Sequence, residues 1–207
     1  MRRIALVLIL CICTLISVVA DDFKILYVTT PSISINGKNL KAGDIFPGGA
    51  TINWTSPRQA MKVLDLSTNK QTLVVAEKYN EVKSKNMASY LVAAKQLSTR
   101  RGAIINTMEL GIVLGDTHYL LDPIKIETLL PIDADRFFFA SYEYNGEIIN
   151  KLLPSEDNSI IFDKSLYVID GKEIEPFDLN LSVWYMDRIE GNKTIITDKM
   201  VLLPVGK

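Results

Sequence analysis

Apolar residues along this chain recur mostly at every second position, in short runs broken by Gly, Asn, Asp and Pro. That period sends alternate side chains to opposite faces of an extended backbone, so the chain is predicted to be built mainly of β-strands. Ile124, Ile126, Thr128 and Leu130 alternate with Lys125 and Glu127, and Phe177, Leu179, Leu181, Val183 and Tyr185 keep the alternation through a longer run. Arg136–Tyr144 and Glu147–Leu153 flank Asn145-Gly146, a pair that tolerates the positive φ of a two-residue hairpin. That turn sets Tyr142 opposite Ile149 and Phe138 opposite Leu153, an apolar ladder on one face. Asn36-Gly37 and Asp170-Gly171 predict hairpins of the same kind. Met108, Leu110, Ile112 and Leu114 also alternate and predict a strand ahead of Gly115-Asp116. After Gly191-Asn192, Thr194–Thr197 and Met200–Leu203 predict the last two strands.

One segment departs from this pattern. Ser84 to Leu97 is rich in helix formers, with Met87, Leu91, Ala94 and Leu97 along one stripe, Ser84 as N-cap and Gly102 as stop. Arg100 and Arg101 suit a helix C-terminus, where positive charge opposes the dipole. The layout is therefore a small β barrel or sandwich over residues 21–80, one helical connector over 81–102, and a β sandwich over 103–207. The last part, with seven or more strands in about 100 residues, is expected to be immunoglobulin-like, although the Cys…Trp…Cys signature is absent. In the first part, the stretch INGKNLKAGDIF followed by a strand pair is similar to the small β modules of exported bacterial proteins.

Export is predicted by the first twenty residues. Arg2 and Arg3 precede an apolar run from Ile4 to Val19, and Val18-Val19-Ala20 supplies small residues for cleavage between Ala20 and Asp21. The destination is periplasmic, cell-surface or extracellular, with membrane contact only through this leader before cleavage. Cys11 and Cys13 both lie in the leader, so the chain from Asp21 onward has no thiol and no disulfide. The leader carries two of the 23 basic residues and none of the 24 acidic ones, so its loss makes the formal charge of −1 more negative. Such a balance gives no field for gripping nucleic acid.

The inventory of reactive groups is short. His118 is the only histidine, and no Gly-x-Ser-x-Gly elbow presents a serine to it. No phosphate loop or dinucleotide fingerprint occurs, and no cofactor, metal site or catalytic residue is expected. Asp133, Asp135, Glu143 and Glu147 are the acids that would serve a carboxylate-dependent hydrolase, the second reading of the chain. Trp54 and Trp184 are the large aromatics that could face a partner. Trp184 falls out of phase with the apolar face of its strand, so it marks a candidate contact surface. The leading expectation is an exported, non-enzymatic binding or assembly protein that recognises a protein or glycan partner at the cell envelope. A third reading is a surface-assembly subunit that lends its terminal strand, Thr194–Leu203, to a neighbour.

Overall fold

The computed structural model describes residues 21–98 and 106–206, with the side chains of 94–98 excepted. Residues 1–20, the expected leader with Ala20 at its end, lie outside the described residues, as do Arg100, Arg101 and Gly102. The chain is mainly β, in several open sheets joined largely by antiparallel pairing, with no closed barrel among the described residues.

The first half contains β1 (Asp22–Val28), β2 (Ser34–Ile35), β3 (Lys38–Asn39), β4 (Ile45–Pro47), β5 (Ile52–Asn53), β6 (Ala60–Asp65) and β7 (Lys70–Val75). They form a four-stranded sheet in the order β4-β1-β6-β7 and a three-stranded sheet in the order β3-β2-β5. The β2–β3 hairpin turns at Asn36 and Gly37, with φ of 50° and 78°, as the residue pair requires. Phe23, Ile25, Met61 and Val63 from the larger sheet share one buried cluster with Ile35 and Ile52 from the smaller one.

Three helices are present among the described residues, where the sequence predicts a single connector. They are α1 (Ala76–Glu81), α2 (Met87–Ser98) and α3 (Thr107–Leu114). The cap of α2 is Asn86, whose Oδ1 accepts from the Ser89 N–H at 2.9 Å, and not Ser84. Met87 delivers the buried end of the expected stripe into the N-terminal cluster. The segment Met108–Leu114, predicted as a strand, is α3. Asn106 Oδ1 accepts from the Glu109 N–H at 3.0 Å, a side-chain cap that commits the backbone to helix. Leu110 and Leu114 are fully buried while Met108 and Ile112 are 76% and 73% exposed, the division of an i, i+4 period.

The second half holds β8 (Thr117–Leu120), β9 (Ile124–Glu127), β10 (Arg136–Tyr144), β11 (Glu147–Leu152), β12 (Ser155–Glu156) and β13 (Ser159–Phe162). A 3₁₀ turn at Lys164–Tyr167 leads to β14 (Val168–Ile169), β15 (Lys172–Glu173), β16 (Leu179–Asp187) and β17 (Asn192–Pro204). The principal sheet runs β11-β10-β16-β17-β8, with β8 parallel to β17 and the other pairs antiparallel. Tyr142 stands opposite Ile149, and the Leu153 N–H donates to the Phe138 carbonyl at 3.0 Å, the register the Asn-Gly turn dictates. The two predicted terminal strands are one strand, β17, whose pairing with β16 shifts register between Leu181 and Val183 and again between Val183 and Trp184.

Phe138, Ala140, Tyr142, Leu179, Leu181, Val183 and Tyr185 line the inner face of this sheet. They share a cluster with Ile126, Ile160 and Phe162 of the β12-β13-β9 sheet and with Leu110 and Leu114 of α3. Buried tyrosines tie the loops to this core. The Tyr185 hydroxyl donates to the Pro131 carbonyl at 2.9 Å and Tyr167 to the Phe177 carbonyl at 3.0 Å. The halves meet at Ala60, Val75 and Val205, and Arg58 clasps Asp178 with two hydrogen bonds of 3.1 and 2.9 Å.

Candidate functional site: the outer face of the principal sheet

A strand sends successive side chains to opposite faces, so which residues lie opposite the C-terminal core is fixed by parity. On β10 the outward residues are Phe137, Phe139, Ser141 and Glu143, and on β16 they are Asn180, Ser182, Trp184 and Met186. Register then assembles them. Phe139 pairs with Leu152 of β11 on one side and with Trp184 on the other, and Trp184 pairs with Ile195 of β17. Four apolar side chains thus form one row across four strands, Leu152–Phe139–Trp184–Ile195. Trp184, the residue that falls out of phase in the sequence, is second from its end.

The middle of the row is ordered and its ends are open. The rings of Phe139 and Trp184 are nearly parallel, 9° apart, with centroids separated by 6.3 Å. The Lys193 ammonium lies 4.2 Å from the Trp184 ring centre and 5.1 Å from that of Phe139, and the Arg188 guanidinium lies 4.9 Å from the centre of Phe137. Each such cation–π contact contributes about 0.5–1 kcal/mol at a surface, enough to hold the rings in place. Leu152 remains 67% and Ile195 46% exposed. The Trp184 indole N–H is itself buried, with no hydrogen-bond partner among the described residues.

The acids of the hydrolase reading do not meet. Asp133 is turned onto Arg136, which donates to it from Nε at 2.9 Å, and this pairing holds its carboxyl below the usual range. Asp133 and Asp135 precede β10, whereas Glu143 and Glu147 sit at its far end, some 25 Å away along an extended strand. Even at the hairpin tip, Glu143 shares a face with Ile148 while Glu147 shares the opposite face with Tyr144. His118 is buried on β8, its Nε2 3.2 Å from the Val113 carbonyl oxygen. Trp54 is half-buried against Tyr79 in the N-terminal cluster.

Among the described residues no three His, Asp or Glu side chains gather as a metal would require. A recess of about 220 Å³ lined by Leu120–Pro123 and Asp163–Ser165 falls below the size of ordinary small-molecule sites, which begin at about 300 Å³. The terminal segment Thr194–Leu203 is not a free edge. β17 has β16 on one side, while β8 takes Val201–Pro204 and α3 covers Ile196 on the other. Asp21 is the first described residue, and its carbonyl accepts from the Gly48 N–H at 2.7 Å. No described helix is long and apolar enough to cross a membrane. Comparison with protein-family models, curated proteins and solved structures finds no match for the chain.

Proposed function

We propose that this is an exported binding protein of the cell envelope that docks a protein partner on the Leu152–Phe139–Trp184–Ile195 row. The observation that carries the reading is the alignment itself: four apolar side chains in register on the face opposite a completed core. Isolated exposed apolar residues are ordinary, but a contiguous row framed by cations is the composition of a recognition patch. A protein partner suits the row better than a glycan. Its open ends are aliphatic and offer no hydrogen bond to a sugar hydroxyl, and the Lys193 ammonium already occupies the aromatic surface. The export step rests on the leader and cleavage after Ala20. The immunoglobulin-like reading of residues 103–207 belongs to the same proposal, supported by two sheets enclosing one core.

The test uses the chain from Asp21 onward, which holds both large core clusters. It is immobilised beside a Leu152→Ser/Ile195→Ser variant and offered envelope extract of the source organism. A protein retained by the parent and lost from a variant of unchanged melting temperature supports the reading. Retention of the same proteins by both, or of glycan alone, contradicts it.

A further inference from the structure

The principal sheet has a second unused feature, its β11 edge. In the β10–β11 ladder the Leu153 N–H donates to the Phe138 carbonyl, so Leu153, Lys151, Ile149 and Glu147 aim their backbone groups at β10. The N–H and C=O groups of Ile148, Asn150 and Leu152 therefore point away from the sheet, and no backbone bond within the described residues takes them up. Natural edges are usually blunted by a proline, a bulge or an outward lysine. The register of β11 with β10 is unbroken and the strand contains no proline. Its one lysine, Lys151, lies on the core face of the sheet and gives one of its three ammonium N–H groups to the Val168 carbonyl, so it does not shield the outward backbone groups and keeps donors for a partner. Ile148 and Leu152 stand 66% and 67% exposed.

We infer that β11 pairs with β11 of a second copy, antiparallel about a two-fold axis at Ile149, joining two principal sheets into one of ten strands. The charge order selects this occupant and this register. Glu147 and Lys151 lie on one face, symmetric about Ile149. Rotation about that point sets each Glu147 opposite the other copy's Lys151, twice per dimer, in the geometry that favours cross-strand pairs. It also places Ile148 opposite Asn150, both with outward backbone groups, so they exchange hydrogen bonds as a narrow-spaced pair does. The two Ile149 residues then form the non-hydrogen-bonded pair, with Cα atoms about 4.5 Å apart. An isologous contact of this kind closes at two copies and leaves no free β11 edge to propagate. Both docking rows would lie on the same face of the joined sheet, so one dimer presents two.

Sedimentation of the chain from Asp21 onward should show monomer and dimer exchanging with concentration. Asn150→Pro removes an outward N–H while sparing the backbone ladder to β10, although it also removes the side-chain bond that Asn150 accepts from Ser141, and it should weaken dimerisation at least tenfold. Because a proline can disturb folding, charge provides an independent variant. Glu147→Lys should weaken the dimer, and adding Lys151→Glu should restore it. Residues 21–207 contain no cysteine, and the expected Cα separation at position 149 falls within disulfide reach. Ile149→Cys should therefore give a disulfide-linked dimer on mild oxidation, and Lys172→Cys should not. A chain that stays monomeric up to about 1 mM, or a dimer indifferent to Asn150→Pro and uncrosslinked through position 149, overturns the inference.

Discussion

Helix α3 reaches β17 through a glycine, and that contact makes a sharp prediction. A Cβ built on Gly111 would stand 2.5 Å from the Ile196 carbonyl oxygen, roughly 0.8 Å or more inside ordinary contact. The obstructing atom is backbone in a strand held on its other side by β16, so it cannot swing aside as a side chain would. Gly111→Ala must therefore push α3 outward and loosen Leu110 and Leu114, both now fully buried. Forcing a methyl group into a closed contact costs about 1–3 kcal/mol. Helix propensity acts the other way, since alanine is favoured over glycine by about 1 kcal/mol in a helix interior. At a contact this short the steric term should win, for a net loss of up to about 2 kcal/mol and a fall in melting temperature of up to roughly 8 °C at this size. Urea unfolding followed by circular dichroism measures the difference through the shift in midpoint at constant slope. Ile112→Ala, on the exposed side of the same helix, should change stability by no more than about 0.5 kcal/mol. If Gly111→Ala stabilises the protein, α3 does not sit against Ile196 and the packing described for the C-terminal half is wrong.

Other consequences are independent of that contact. Asn106→Ala removes the α3 cap and should cost about 1 kcal/mol in the same unfolding assay, whereas Asn106→Ser should recover most of it. Burial raises Tyr90 to about 12, above the ordinary value near 10, and Tyr167 likewise. Their neutral forms are favoured in the fold, so stability present below pH 10 should be lost as pH rises from 10 to 12. Tyr90→Phe should lessen that loss, measured as the denaturant midpoint against pH, and an equally steep fall in the variant would refute the assignment. Expression of the whole chain in its source organism should yield a protein beginning at Asp21 by mass spectrometry. A retained Met1–Ala20 segment would defeat the export proposal.

The parts of the fold legible in the sequence are those set by local steric rules. Asn145-Gly146 has one favourable turn geometry, and that turn alone dictates the pairing of Tyr142 with Ile149. The outward direction of Trp184 followed from parity on a strand whose other face is continuous. Helix α3 reads as a strand in the sequence because Met108, Leu110, Ile112 and Leu114 satisfy two periods at once. Alternation pairs all four, but i, i+4 spacing also links Met108 to Ile112 and Leu110 to Leu114. The deciding signal is Asn106, ahead of the apolar run, with Glu109 three residues on, a capping pattern that the alternation of apolar residues does not register. The β12–β13 hairpin turns at Asp157 and Asn158, with φ of 49° and 57° and no glycine to announce it. The Leu152–Phe139–Trp184–Ile195 row needs four strands in register, and that order is a property of sheet topology that no local pattern encodes; Ile195 follows in unbroken register from the β16–β17 turn, and the two shifts in pairing lie beyond it, at Thr197 and Met200.

Docking on the outer face is decided by site-specific photo-crosslinking, which reports what touches that face in the living cell. A photoreactive residue at Leu152 or Ile195, each in turn, should capture the same protein partner. One at Lys172, on the β14–β15 hairpin, should not. Equal capture at all three positions, or none at either end of the row, would contradict docking on that face.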